Sequence, residues 1–173
     1  FEEKSLDQLK LILKRLFKEI FGVDTPIFKR SSRGYAIQIG SKPIFRFLTK
    51  VTKVKVGEIP TIVKDMDIIN KKHFLAGIFD SEGYIDNSYK GSRIVMTQAD
   101  QKFLRKIMML FKEIGIDFTG LHFHKGEKGV WYTIQIRKKS EITKFAQLVG
   151  SYHINKLQRL HTLVNTIEKN RHN

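Results

Sequence analysis

An internal repeat constrains the fold of this chain more than any other feature. Residues 16–20 (LFKEI) recur unchanged as residues 110–114, which is 94 positions later, and residues 35–39 (YAIQI) are echoed by residues 132–136 (YTIQI) at an offset of 97. Three further apolar residues pair with three others at an offset of 98: Ile44, Phe47 and Val51 with Ile142, Phe145 and Val149. Self-similarity at a nearly fixed spacing indicates a duplicated structural unit, so the sequence predicts a tandem duplication with small differences in loop length.

Each copy has the pattern of a helix, two strands and a helix. Apolar residues recur at spacings near 3.6 before Gly22 and before Gly115, which indicates an amphipathic helix that ends at each glycine. In the second copy, alternating apolar and polar residues then indicate strands of a sheet that is covered on one face. That copy also has an apolar run at 74–79 and two strand candidates in front. We therefore expect an α+β protein in which residues 1–66 are a partial copy without its first helix and strands, and residues 67–173 are a complete αββαββα unit with an antiparallel sheet.

Charge and composition restrict the class of function. The 173 residues include 32 Lys and Arg against 17 Asp and Glu, which gives a formal charge of +15. Such a charge suits a polyanionic partner, because cations that neutralise phosphates release condensed counterions. The chain has no Cys, so any bound metal must be held by oxygen or imidazole. No apolar run reaches the ~18 residues of a membrane span, and we expect a soluble, intracellular protein.

The nonapeptide LAGIFDSEG at residues 75–83 carries the most chemical information. Ala76 and Gly77 are small residues on a short apolar helix, and they allow another helix to approach closely. Glu82 then lies at the end of this helix, where the helix dipole disfavours a carboxylate, so that it needs a compensating cation such as a bound metal. The plainer alternative is an exposed acid next to a glycine that ends the helix.

The same nonapeptide resembles the LAGLIDADG signature of homing endonucleases. Five positions match the signature and two are conservative replacements: Leu75, Ala76, Gly77, Asp80 and Gly83 match, and Ile78 and Glu82 replace a Leu and an Asp. The predicted order of elements after the motif is also that of the family, so the resemblance covers residues 73–165, and residues 5–66 resemble the later part of a preceding unit. It implies a DNA endonuclease whose concave antiparallel sheet lies over the DNA.

The resemblance also implies roles for individual residues. In such enzymes two LAGLIDADG helices pack together, and each gives its penultimate acid to Mg²⁺ or another divalent cation between the scissile phosphates; Glu82 occupies that position. Gln98 resembles a polar residue that orders water near the cleavage site, and Lys156 resembles a basic residue before the final helix. The plainer alternatives are that Gln98 is a solvated amide at a strand end and that Lys156 is a surface lysine. In the earlier unit the lysine would be Lys53 or Lys55, and the sequence contains no acid partner for Glu82.

Alternation along the strands predicts which side chains face DNA. The residues expected to point towards the core are Ile85, Ile94, Met96, Leu121, Phe123, Tyr132, Ile134 and Ile136. The opposite face then mixes donors and acceptors, as reading the major groove requires, with simple solvation as the alternative. The residues expected on this face are Tyr84, Asp86, Ser88, Arg93, Val95, Thr97, His122, His124, Trp131, Thr133, Gln135 and Arg137.

The chemistry of these side chains separates base contacts from phosphate contacts. Arg93 and Arg137 suit guanine and Gln135 suits adenine, because these side chains can bond those bases bidentately. Lysines at turns and strand ends suit phosphates instead: Lys90, Lys125, Lys128, Lys138 and Lys139. His122 and His124 point the same way on one strand and could bind zinc, but no third ligand is evident, and a role on the polar face is favoured.

Three hypotheses follow. The leading one is a sequence-specific DNA endonuclease that makes metal-dependent double-strand breaks in a long target. The chain is then a fragment or subunit, completed by a second LAGLIDADG helix from a missing N-terminal segment, another chain or a second copy. The alternative is a non-catalytic DNA- or RNA-binding relative, such as an intron splicing maturase. A symmetric dimer through residues 75–79 is the third, although it leaves residues 1–66 as surplus half-units.

Overall fold

The chain divides into two units, Phe1–Lys53 and Val54–Asn173. The fold is taken from a computed structural model, which describes residues 2–3, 6–30, 34–51, 53, 58–87, 91–127 and 129–169. The second unit begins before the boundary that the sequence predicts after residue 66. The reason is that Val63 is only 1% exposed within the core of that unit, and Ile59 and Met66 pack against the same core.

The first unit consists of a long helix, a small sheet and a second helix. Its elements are β1 (Glu2–Glu3), α1 (Leu6–Gln8), a π-helical segment (Leu9–Lys14), α2 (Arg15–Phe21), β2 (Ile27–Lys29), β3 (Tyr35–Ile37), α3 (Lys42–Arg46) and a second π-helical segment (Phe47–Val51). The sheet is antiparallel with the order β1-β3-β2. Gly22 ends α2 in the left-handed region, at φ 65°, which confirms the predicted helix end.

The second unit contains the αββαββα order that the sequence predicts, preceded by one helical turn. Its elements are α4 (Ile62–Asp65), α5 (Ile68–Glu82), β4 (Gly83–Asp86), β5 (Arg93–Gln98), α6 (Gln101–Glu113), β6 (Thr119–Gly126), β7 (Gly129–Ile136), α7 (Lys139–Leu148) and α8 (Ile154–Lys169). The four strands form an antiparallel sheet with the order β4-β5-β7-β6. The predicted α+β class is therefore confirmed.

Short polar residues set the ends of the helices in the second unit. The Asp67 carboxylate begins α5 by accepting a hydrogen bond from the backbone N–H of Asn70 at 2.7 Å. Asp100 begins α6 in the same way, at 2.7 Å from the backbone nitrogen of Lys102. Gly115, at φ 81°, follows the end of α6, as the sequence predicts. These caps fix where α5 and α6 meet the strands beside them.

The helices cover one face of the four-stranded sheet and form the core with it. The residues that are at most 1% exposed in this core include Leu75, Phe79, Ile94, Met96, Leu104, Ile107, Phe111, Ile134, Ile136, Ile142 and Phe145. Phe79 of α5 contacts Phe145 of α7 edge to face, with the ring centroids 4.9 Å apart. Burial of such side chains is the main favourable term in folding, so α5 is held firmly on the sheet.

The sheets show that the repeat extends further towards the N-terminus than expected. Glu2 pairs with Ala36 in the first unit, and Thr97 pairs with Thr133 in the second. Ala36 and Thr133 are equivalent at the offset of 97, so β1 occupies the place of the end of β5. The short strand β1 thus corresponds to the last part of a second strand, and the predicted lack of a first helix and first strands stays a prediction for the rest of the partial copy.

One ion pair fixes the start of α7. The pKa of Glu141 lies below its ordinary value, because its carboxylate accepts a hydrogen bond from the backbone N–H of Asp117 and faces the Lys144 ammonium. This contact ties α7 to the segment before β6.

None of the helices in the described ranges has the length and apolarity that crossing a membrane requires.

Candidate functional site

Glu82 is the last residue of α5 and directly precedes the sheet. The next residue, Gly83, begins β4 and pairs with Met96 of β5, which brings Glu82 level with the end of that strand. Gln98 is the last residue of β5, so both predicted site residues lie at the same end of the same strand pair. Both side chains are half-buried. The Gln98 side-chain oxygen accepts a hydrogen bond from the backbone N–H of Ala99 at 3.1 Å.

The close approach of α5 and β4 depends on Gly83. A Cβ atom at this position would lie 2.1 Å from Cδ2 of Phe79 and 2.8 Å from the Phe79 carbonyl oxygen. A glycine is therefore required where the chain leaves the helix and enters the strand. Gly77 differs, since a Cβ atom there meets no described residue within 4 Å. The close helix crossing predicted for Ala76 and Gly77 stays a prediction.

Lys156 places a positive charge at the end of α5. Its Nζ donates to the carbonyl oxygens of Asp80 at 2.6 Å and Phe79 at 3.2 Å, and it lies 5.5 Å from the centroid of the Phe79 ring. A cation at a helix C-terminus stabilises the helix dipole, which offsets the disfavoured position of Glu82. Lys156 lies inside the final helix, at its third residue, which corrects the expectation that it precedes that helix.

Asp80 holds the segment before α8 against α5. Its carboxylate accepts hydrogen bonds from the Ser151 hydroxyl and, at 2.9 Å, from the backbone N–H of Tyr152. The Tyr152 hydroxyl in turn contacts Nδ1 of His73 on α5. Reasoning from the sequence missed Ser151, Tyr152 and His73, because a contact across more than 70 residues leaves no local signal. Asp80 thus serves to hold the fold together, and a role of Glu82 as a metal ligand stays a prediction.

The sheet face opposite the core brings together most of the predicted DNA-facing residues. Opposite residues in antiparallel strands point to the same side, and the register aligns Tyr84 with Val95 and Gln135, and Thr97 with Thr133 and His122. Half-buried or exposed on this face are Tyr84, Asp86, Arg93, Thr97, His122, His124, Trp131 and Arg137. Lys138 is exposed next to this face, just before α7, and Ser88 lies outside the described residues.

Three residues predicted to contact DNA are buried instead. Val95 is 0%, Thr133 5% and Gln135 7% exposed. All three lie on the two central strands, where side chains of the neighbouring strands cover them; Nε2 of His124, for example, is 2.9 Å from the hydroxyl of Thr133. Alternation predicts the side of the sheet to which a residue points, but not this lateral cover. Direct DNA contact stays a prediction for these three, which have little exposed surface for it.

One residue predicted to face the core is exposed. Phe123 is 61% exposed, and its ring meets that of Tyr132 edge to face with the centroids 5.7 Å apart. Tyr132 on the central strand β7 packs against the core cluster, and Phe123 lies opposite it on the edge strand β6. On the other face, His124 stacks on Trp131 at 5.5 Å between ring centroids. The two histidines of β6 thus have different surroundings: His122 is exposed and His124 is held between Trp131 and Thr133.

The described residues form no complete metal site. Among these residues no group of three or more His, Asp and Glu side chains could enclose a metal ion. Mg²⁺, however, keeps several waters and is bound through one or two carboxylates together with substrate phosphates. Glu82 therefore fits one ligand of a shared site. Lys53 is exposed with φ 53°, and Lys55 lies outside the described residues.

Comparison with known proteins finds a matching domain in the second unit. Residues 70–150, from α5 to just past α7, match the family model described as the LAGLIDADG-like domain. Residues 70–150 are therefore similar to the LAGLIDADG-like domain. The resemblance of residues 75–83 to the LAGLIDADG signature is thereby confirmed, and the match includes Glu82, Gln98 and the four strands of the second unit.

Two curated relatives match over most of this chain. The homing endonuclease I-ApeI of Aeropyrum pernix is 23% identical over 146 residues, which cover 80% of this chain and 64% of that protein. A glutamine–fructose-6-phosphate aminotransferase (isomerizing) of Methanocaldococcus jannaschii is 25% identical over 173 residues, which cover 94% of this chain and 16% of that protein. The chain thus spans less than two thirds of the length of either relative.

Solved structures of the homing endonuclease I-DmoI share the fold. Its complex with DNA and Mn has a TM-score of 0.63 at 15% identity and covers 86% of this chain and 78% of the I-DmoI chain. Its complex with DNA and Ca has a TM-score of 0.64 at 19% identity and covers 88% and 74%. At these identities the likeness shows the fold, and it confirms the predicted LAGLIDADG-type architecture.

Proposed function

We propose that this chain is part of a DNA endonuclease that makes metal-dependent double-strand breaks in a long target site. The observation that carries the proposal is the position of Glu82, which lies at the end of the LAGLIDADG helix and at the edge of a sheet with a polar, cationic face. The relative I-ApeI, which is named as a homing endonuclease, and the I-DmoI complexes with DNA and Mn or Ca support the reaction class and the need for a divalent cation.

Each predicted site residue has a role in this proposal. Glu82 would bind Mg²⁺ together with phosphate oxygens and water, and a bound divalent cation stabilises the attacking and leaving oxygens of a phosphodiester. Gln98, at the end of the neighbouring strand, orients water. Lys156 supplies positive charge near the scissile phosphate and, through its bonds to α5, also holds the helix end that carries Glu82.

The DNA interface is the sheet face opposite the core. The proposed DNA contacts are Tyr84, Asp86, Arg93, Thr97, His122, His124, Trp131, Arg137 and Lys138, and Ser88 remains a candidate. Lys125 and Lys139 are exposed at a strand end and at the start of α7, where a phosphate can be reached without contact to a base. These cations give the surface its affinity, and the polar groups between them give it selectivity.

The first unit has a cavity that suits a second LAGLIDADG helix. Its volume is about 440 Å³, and its lining includes Phe17, Ile37, Ile39 and Ile44. The equivalent residues of the second unit are at most 1% exposed beneath α5: Phe111, Ile134, Ile136 and Ile142. In the first unit only Ile37 of the four is buried. We infer that a helix and hairpin like α5 to β5, from outside this sequence, fills the cavity and supplies the second acid.

Cleavage can be tested with the native chain and with a completed one. The completed chain has residues 67–96 placed directly before Glu2, because β1 occupies the place of the end of β5. Both proteins are incubated with Mg²⁺ and a randomised double-stranded DNA library, and the cut ends are sequenced. We expect cutting by at least the completed chain. Glu82→Gln, made in every copy of the motif, should reduce the rate of cutting by ~100-fold or more, because this substitution removes a metal ligand. The exposed Glu168→Gln should leave it unchanged.

A second candidate function is binding of DNA or RNA without cleavage, as in a splicing maturase. The observation in its favour is that Glu82 is not joined by other acids or histidines in a metal-binding group within the described residues. Salt-sensitive binding without cutting by either protein supports this candidate. A chain that neither binds nor cuts contradicts both proposals.

A further inference from the structure

Four polar side chains on the outer face of the sheet form one hydrogen-bonded cluster. The oxygen of the Gln135 side chain accepts from Nε of Arg137 at 2.9 Å and from Nη1 of Arg93 at 3.3 Å. Arg93 also donates from Nε to the Asp86 carboxylate at 2.9 Å. The cluster joins three strands, because Asp86 is on β4, Arg93 on β5 and Gln135 on β7. A glutamine thus lies between two guanidinium groups.

The chemistry of arginine fixes the orientation of this amide. A guanidinium group has only donors, so the end of the Gln135 side chain that faces both arginines must be its oxygen. Recognition of adenine by glutamine needs that oxygen as an acceptor for the N6 amino group of the base. In this cluster the oxygen is already bonded twice, and the residue is 7% exposed. Gln135 is therefore poorly placed to contact a base.

Arg137 has the opposite properties. It is exposed, and its bond to Gln135 uses Nε, which lets the two terminal NH₂ groups point away from the anchor. Arg93 is more enclosed, with 31% of its side chain exposed, and shares its charge with Asp86. Gln135 carries no charge, so it holds Arg137 without neutralising it. The fork of a guanidinium group matches O6 and N7 of guanine.

We propose that Gln135 is a positioning residue that aims Arg137 at a guanine in the major groove, with Arg93 and Asp86 as the fixed support. The inference rests on the proposed DNA-binding function and deepens it, because it specifies which side chain reads a base and which one holds the reader. It predicts that one position of the target prefers guanine because Arg137 contacts that base, and that Gln135 increases this preference.

Binding-site selection tests this proposal with the full chain. From randomised double-stranded DNA, the sequences that bind are selected in the absence of a divalent cation. The proteins compared are the wild type, Arg137→Ala, Gln135→Leu and Gln135→Glu. The wild type should select a site with a guanine that Arg137→Ala no longer prefers. Gln135→Leu, which cannot accept a hydrogen bond, should lower the preference for this same guanine by about 10-fold. The salt dependence of DNA binding by Gln135→Leu should equal that of the wild type, because no phosphate contact is lost. Gln135→Glu keeps an acceptor and should retain the preference for the guanine, at a lower overall affinity because its carboxylate neutralises positive charge on the arginines. Gln158→Leu on α8 is the matched control.

A second measurement follows the anchor itself. In the free protein, exchange of the Arg137 Nε–H with water is measured by NMR, and we expect slow exchange in the wild type and Gln135→Glu and fast exchange in Gln135→Leu. Circular dichroism checks that each variant is folded.

Three results would overturn the inference. The first is a Gln135→Leu variant with wild-type selection. The second is a change at a base pair that Arg137→Ala leaves intact, since Gln135 would then read its own base. The third is equal Nε–H exchange in all variants. If the wild type selects no sequence at all, the proposed function fails together with this inference; if it selects a site and only the Gln135 results fail, the proposed function stands.

Discussion

At the scale of single residues, the motif contains two glycines with opposite requirements. We expect Gly83→Ala to lower the stability of the second unit by about 1–3 kcal/mol, because its Cβ atom would lie 2.1 Å from the Phe79 ring and 2.8 Å from a backbone oxygen. Urea unfolding measures the change. The matched control is Gly77→Ala in the same helix, where the added methyl group meets no described residue within 4 Å.

The control should shift stability in the other direction. Alanine is favoured over glycine inside a helix by about 0.5–1 kcal/mol, so Gly77→Ala should be neutral or stabilising for this chain. Equal unfolding midpoints for Gly83→Ala and the wild type would contradict the steric argument. Because Glu82 adjoins Gly83, Gly83→Ala should also reduce any cleavage. The cause would be displacement of the Glu82 carboxylate, since the metal ligand itself is kept.

At the scale of elements, the end of α5 depends on a lysine from α8. Lys156→Met should destabilise the chain by about 1–2 kcal/mol, because the carbonyl oxygens of Phe79 and Asp80 lose a charged donor at a helix C-terminus. Lys106→Met, on the exposed face of α6, is the control and should change little. Thermal and urea unfolding of both variants measure the difference. If Lys156→Met abolished cleavage without any change in unfolding, Lys156 would act on the substrate alone.

The elements also show what the sequence could predict. Periodicity and the internal repeat predict α6, β6, β7 and α7, since both patterns can be found in the sequence without knowledge of which residues are in contact. The cover of Val95, Thr133 and Gln135 could not be predicted in this way. It arises because these residues lie on central strands of a four-stranded sheet, and strand order does not follow from alternation. The anchoring of Asp80 by Ser151 could not be predicted either, because it joins residues that are 71 positions apart.

At the scale of the whole chain, the two copies of the repeat differ in what covers their apolar residues. Leu16 is 45% exposed and its equivalent Leu110 is 6% exposed, and Ile20 is 59% exposed while Ile114 is 7% exposed. The same five-residue sequence is therefore a core segment in one unit and a surface segment in the other. Apolar burial contributes roughly 25 cal/mol per Å², so burial of these residues stabilises the folded state of the first unit less than that of the second.

This asymmetry predicts unequal local stability, which hydrogen exchange measures. Amides of β3 (Tyr35–Ile37) should exchange at least ~10-fold faster than those of the equivalent residues of β7, because fewer buried contacts oppose local opening. The chain completed with residues 67–96 before Glu2 should slow exchange in β3 and leave β7 unchanged, since the added helix would cover Phe17, Ile39 and Ile44. Equal protection of β3 and β7 in the native chain would show that the first unit closes its apolar face without a further segment, and the inference of a second LAGLIDADG helix on that face would then be lost.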